Sequence, residues 1–101
     1  MDLITMQGLT PTITVTVAAV DLTEAENIYP SIKQGAEVLR PTIFDVAAHQ
    51  VDIYLTQAET LALSPGMAEL QINWTYATGQ RGAIDPKSLR VLPNHLLEVL
   101  P

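Results

Sequence analysis

The chain predicts an all-β fold: a single antiparallel β-sandwich of immunoglobulin-like size, with about six or seven strands and one or two short helical turns. Three observations lead there. Apolar residues recur with a period of two, the alternating residues are largely β-branched or aromatic, and proline, glycine or polar clusters interrupt them roughly every 8 to 12 residues. With 101 residues there is room for one domain, covering residues 1–101. The 48% hydrophobic and 16% charged residues are enough apolar material for a packed core, which excludes a disordered chain.

Taken in order, "TPTITVTVA" sets Ile13, Val15 and Val17 on one face and Thr12, Thr14 and Thr16 on the other, as in a half-buried strand. "NIYPSIKQ" alternates Ile28 and Ile32 against Tyr29, Ser31 and Lys33; Pro30 donates nothing to a ladder and so marks an edge or a bulge. Gly35 makes a turn, and "EVLRPTI" is its hairpin partner, interrupted by Pro41. After a polar break at His49 and Gln50, "VDIYLT" turns Val51, Ile53 and Leu55 inward and Tyr54 outward. "SPG" is a second turn. "MAELQINWTY" is the longest alternating run, with Ala68, Leu70, Ile72, Trp74 and Tyr76 in phase. "TGQRG" closes a hairpin onto "AIDPKSLRVL", whose first half is weakened by Pro86.

Two nearly identical hexads, "LTEAEN" from Leu22 and "LTQAET" from Leu55, lie 33 positions apart. Helical solenoids have repeats of about that length, but they need helix pairs and at least about three copies. Nothing else recurs here. Both hexads fit the T-x-x-E capping box, Thr23 with Glu26 and Thr56 with Glu59, so each predicts one helical turn between strands. A catalytic carboxylate pair drawn from these glutamates would need a cleft, which no part of the sequence announces.

Charge and composition exclude several functions. Five basic against eleven acidic residues give a net charge of −6, and Lys33, Arg40, Arg81, Lys87 and Arg90 form no cluster in the sequence, so no nucleic-acid partner is expected. There is no cysteine and hence no disulfide, zinc-thiolate or thiol chemistry. His49 and His95 lack neighbours at metal-ligand spacing and read as loop and tail residues. No metal, cofactor or catalytic residue is expected, and no serine sits in a nucleophile elbow. The start "MDLITMQG" is not built as a signal peptide and no run reaches the ~18 apolar residues of a membrane span, which implies synthesis in a cytoplasm and no membrane partner. Among the aromatics, Trp74 and Tyr76 share the phase of the core, leaving Tyr54 as the surface aromatic available to a sugar.

The apolar ends, residues 1–8 and 93–101, fit a solitary domain least well. Leu3 and Ile4 in front, and Leu96, Leu97, Val99 and Leu100 behind, either pack on their own sheet or dock on neighbouring subunits.

In order along the chain, "TMQGLTPTITVTV", "DLTEAENIYPSIKQGAEVL", "VDIYLTQAETLAL" and "AELQINWTYATGQRGAIDPKSLRVLPNHLLEVL" resemble short virion proteins of bacteriophages of Gram-positive hosts. The likeness covers nearly the whole chain, and "LTQAET" and "IKQG" are its most specific pieces. Pro30 and Pro41 depart from it, standing where the family prefers β-branched residues, as does "VAAHQV", where a Gly-Asn turn is commoner. The resemblance implies a non-enzymatic β-sandwich subunit of a phage particle, made in the bacterial cytoplasm and located in the virion. Its partners would be capsid or tail proteins and copies of itself. The acidic charge argues for the exterior of the head, as a decoration or head-fibre-like subunit; a tail or baseplate adaptor and a carbohydrate-binding host-recognition module are the alternatives.

Overall fold

A computed structural model describes residues 3–101 as a β-sandwich of nine strands. The larger sheet contains β1 (Leu3–Met6), β3 (Asn27–Gln34), β4 (Glu37–Leu39), β7 (Gly66–Thr75), β8 (Arg81–Ala83) and β9 (Lys87–Leu92), in the order β1-β9-β7-β3-β4 with β8 also paired to β7. The smaller sheet has the order β2-β6-β5, from β2 (Thr12–Thr16), β5 (Phe44–Ala47) and β6 (Gln50–Tyr54). A helix, α1 (Gln57–Leu61), and one 3-10 turn, Leu22–Glu24, complete the elements.

The period-two pattern is what holds the sheets together. Ile13 and Val15 of β2 and Val51 and Ile53 of β6 point from the small sheet at Ile32 of β3, Leu70, Ile72 and Trp74 of β7 and Leu89 and Val91 of β9, and all of them are buried. Each such side chain taken out of water contributes roughly 1.5–3 kcal/mol. A one-residue slip in any central strand would turn this set toward solvent, so burial also fixes the register, as in the pairing of Ile32 with Leu70 and of Ala68 with Leu89.

Three expectations about strands are corrected. The sandwich is not wholly antiparallel, because β1 runs parallel to β9, pairing Leu3 with Leu89 and Met6 with Leu92. Nor is "EVLRPTI" one strand. It leaves the large sheet after Leu39, crosses at Arg40 and the buried Pro41, and enters the small sheet at Phe44, so the proline sits at a corner where no ladder amide is needed. "AIDPKSLRVL" likewise divides into β8 and β9, which lie in line along the same flank of β7. The break at Ile84–Pro86 is bridged from β7, where the Ile84 amide donates to Ile72 O at 3.1 Å and the Gln71 side-chain amide donates to Ile84 O at 2.8 Å. Pro30 lies on β3 beyond the stretch that β4 covers, Ile32–Gln34, and so has an open flank as a strand proline requires.

Of the two predicted capping boxes, one is formed. Thr56 is the N-cap of α1: its hydroxyl accepts from the Glu59 amide at 3.2 Å, and the Glu59 carboxylate accepts from the Thr56 amide at 2.9 Å. The Thr23–Glu26 box is not formed. Asp21 caps the 3-10 turn instead, accepting from the Thr23 amide at 3.0 Å and from the Thr23 hydroxyl at 2.5 Å. The chain returns to extended geometry at Ala25, with ψ of 143°, and the Glu26 amide already donates across to Thr75 O at 2.8 Å. The Asp21 carboxylate engages the Thr23 hydroxyl, and the cross-strand bond takes the Glu26 amide, so both groups the box would need are already committed.

Gly82 faces the core side of β8, opposite Trp74. A Cβ there would lie inside contact distance of the Trp74 Nε1, Cε2 and Cζ2 atoms, so the indole rests on bare backbone and its N–H is left to donate to Tyr76 Oη at 3.2 Å. Gly82→Ala is expected to lower stability by about 1–3 kcal/mol through this overlap and to alter tryptophan emission, both read in chemical denaturation. Thr56→Ala is expected to cost about 1 kcal/mol in the same assay, whereas Glu26→Ala leaves the midpoint in place.

Candidate functional site

From Leu3 onward the predicted N-terminal arm is part of the body; its first two positions lie outside the described residues. Leu3 packs on the core, Thr5 and Gln7 are buried, and only Ile4 of β1 is widely exposed on the opposite face. Leu3 is thus occupied within its own domain, while Ile4 is accessible.

The C-terminal segment behaves differently. Residues 93–101 form no strand, yet they are tied down at two points. Asn94 donates from Nδ2 to Gln7 O at 2.9 Å and from its amide to Gln7 Oε1 at 3.4 Å. Further on, the side chain of Gln57 grips the backbone of Leu100 through both its atoms, donating to Leu100 O at 3.0 Å and accepting from Leu100 N at 2.5 Å. Between these anchors the apolar side chains stay out in solvent, at 55% exposure for Leu96, 58% for Leu97, 68% for Val99 and 50% for Leu100. The result is a strip of four apolar side chains held close to the end of α1.

The histidines do not converge. His49 lies on the surface with Nδ1 at 2.9 Å from Val20 O and 3.3 Å from Val17 O; both partners are carbonyls, so Nδ1 carries the proton and clamps the loop after β2. His95 is exposed in the C-terminal segment. Among the described residues no three histidine, aspartate or glutamate side chains come together as metal ligands. The Asp21 carboxylate is held below its ordinary range by the Thr23 hydroxyl and amide, an effect spent on the 3-10 turn.

The aromatics are used structurally. Trp74 is buried and Tyr76 half-buried beside it. Tyr54, the predicted surface aromatic, is half-buried and donates from Oη to Asp45 Oδ2 at 2.9 Å, a bond that raises its phenol above the usual range. Tyr29 is the more accessible ring, with the Arg40 guanidinium 5.7 Å above its centroid.

The two outer faces of the sandwich differ in charge. On the large sheet, strand alternation sends Lys33 of β3, Arg81 of β8 and Arg90 of β9 outward, and Arg40 joins them by stacking on the outward Tyr29. Four of the five basic side chains therefore share one face, whose strand positions carry a single carboxylate, Glu69. Dispersed along the sequence, these cations are gathered by the fold. On the small sheet the outer row of Thr14, Asp52 and Asp45 sets two carboxylates opposite each other on paired strands. Donors surround them: Thr14 Oγ1 at 2.7 Å and Gln50 Nε2 at 3.0 Å to Asp52, and Tyr54 to Asp45. No cation lies at the outward strand positions of this sheet.

No protein-family model matches the chain, and no curated protein is matched by its sequence. The geometry of the C-terminal strip yields its own test. Gln57→Ala is expected to free the segment beyond the Asn94 anchor, residues 95–101, raising its cleavage rate in limited proteolysis by about tenfold for two lost hydrogen bonds, with little change in the unfolding midpoint of the sandwich.

Proposed function

We propose that this protein is a non-enzymatic structural subunit of a bacteriophage particle, seated on the exterior of the head as a decoration or head-fibre-like component. The contacts it makes are protein–protein contacts, with capsid neighbours and with copies of itself. The observation that carries this reading is the C-terminal strip. Leu96, Leu97, Val99 and Leu100 are exposed although their backbone is bonded to Gln57 and to Gln7 through Asn94. A free apolar tail would lose conformational entropy on docking, and one already fastened has lost part of it beforehand, which suits an interface.

The aromatic side chains favour assembly over sugar recognition. A carbohydrate platform needs a row of exposed ring faces, whereas Trp74 is buried beneath Gly82, Tyr54 is half-buried, and the more accessible Tyr29 has Arg40 stacked over its ring. The net charge of −6 favours an outward position over one lining packaged nucleic acid. The identification with phage proteins rests on the resemblance carried by "LTQAET" and "IKQG" and by the order of the surrounding segments.

The test uses the chain produced together with the structural genes that neighbour its own. Leu96→Asp with Leu97→Asp is expected to leave circular dichroism unchanged, because neither side chain is in the core, and to abolish incorporation into purified particles. Incorporation of the variant at the wild-type level overturns docking through this strip, and absence of the wild-type chain from particles overturns the virion assignment.

A further inference from the structure

We propose that copies of this chain stack face to back, the basic outer face of the large sheet in one copy seating on the acidic outer face of the small sheet in the next. This rests on the reading of the protein as an assembly subunit and supplies the self-contact that reading leaves unspecified.

The two faces are complementary in charge and lie on opposite sides of one sandwich. The basic face has a shallow concavity of about 340 Å³ lined by Tyr29, Val38, Arg40, Asn73 and Arg81. Arg81 is oriented by donating from Nε and Nη2 to Asn73 Oδ1, at 3.3 and 2.9 Å, and Arg40 by its stacking on Tyr29. Both guanidinia are thus positioned by neutral groups and keep their charge for an incoming carboxylate, to which arginine presents a planar fork of donors. Val38, at 56% exposure, and the Tyr29 ring supply apolar area within the same hollow.

The opposite face offers the matching groups. Asp45 and Asp52 are directly paired across β5 and β6, an arrangement that like-charge repulsion disfavours and that a cation seated over both would relieve. They are flanked by the hydroxyls of Thr12, Thr14 and Thr16 at outward positions of β2. In a chain with only five basic residues, four on one face and none at the outward strand positions of the other make a polarised block. Because the two surfaces are different, the contact is heterologous, and a stack of any length still presents one unused face of each kind, at its two ends. Growth is then open-ended.

Sedimentation velocity on the purified chain tests this. The expected result is a mean mass that rises continuously with concentration and falls as sodium chloride is raised, since screening shortens the reach of these charges to about 8 Å at physiological ionic strength. Arg40→Glu with Arg81→Glu, and separately Asp45→Lys with Asp52→Lys, should each weaken association on the order of tenfold or more. An equimolar mixture of the two variants should associate again, because each retains the face that the other has lost. Should the lysine variant fail to fold, Asp45→Asn with Asp52→Asn removes the charges while keeping the shapes, and the same weakening is expected. A chain monomeric at all concentrations, association that salt strengthens, or variants that associate like wild type would each overturn the proposal. So would tight binding of a duplex oligonucleotide that the Arg40→Glu, Arg81→Glu chain has lost, since the basic face would then serve nucleic acid. None of these outcomes bears on whether the chain enters particles, so the stacking contact and the virion assignment fail separately.

Discussion

The carboxamide of Gln7 is the junction on which the arrangement of segments depends. It is buried at the end of β1, where it donates to Leu63 O at 2.7 Å and accepts from the Asn94 amide, while its own main chain donates to Leu92 O and accepts from Asn94 Nδ2. Three parts of the chain, the end of β1, the segment after α1 and the segment after β9, are joined through one residue. A buried carbonyl left without its donor costs about 1–3 kcal/mol, so an aliphatic side chain of similar size would not substitute. The C-terminal strip inherits its position from this junction.

The same device recurs at three other points of the chain. Gln34 bonds both backbone atoms of Ser64, at 2.6 and 2.7 Å, Gln57 does so at Leu100, and Gln71 holds Ile84 across the break between β8 and β9. A primary amide carries a donor and an acceptor side by side, so it imitates a neighbouring strand at a point where no strand exists. The large sheet, interrupted at Pro86, therefore remains satisfied at Ile84 without an unbroken ladder. Sidedness follows from the inner faces being committed to Ile, Val and Leu: a charge within a strand lies on an outer face, which the register selects, and the inward-phase Glu37 and Lys87 are tolerated only as exposed first residues of their strands.

Much of this was legible from periodicity. The alternation around Ile13, Ile53 and Leu70 identified the inward residues, and the phase of Trp74 placed it in the core. Thr56 with Glu59 was readable because both halves of the box are local. Thr23 with Glu26 matches the same pattern and misleads, since the pattern does not weigh the stronger acceptor at Asp21 or the cross-strand bond that claims the Glu26 amide. The parallel pairing of β1 with β9 has no local signature, because either orientation presents the same alternating residues. The basic face was partly within reach: the outward phase of Lys33 and Arg90 follows from their strands, but the convergence of Arg40 and Arg81 depends on a sheet crossing and on the β7–β8 register, neither of which a linear pattern contains. The apolar character of residues 93–101 is plain in the sequence, while the glutamine that fastens them sits in α1 with nothing nearby to link the two.

The parallel pair also sets an order of events during synthesis. Leu3–Met6 leaves the ribosome long before its sheet neighbour, Lys87–Leu92, has been made. Through that interval an uncharged, β-prone segment has no edge to join, and closing so long a loop is entropically slow. Docking of the first strand must therefore be among the last steps of folding, and the nascent chain is most exposed to mispairing and to capture by chaperones until it occurs.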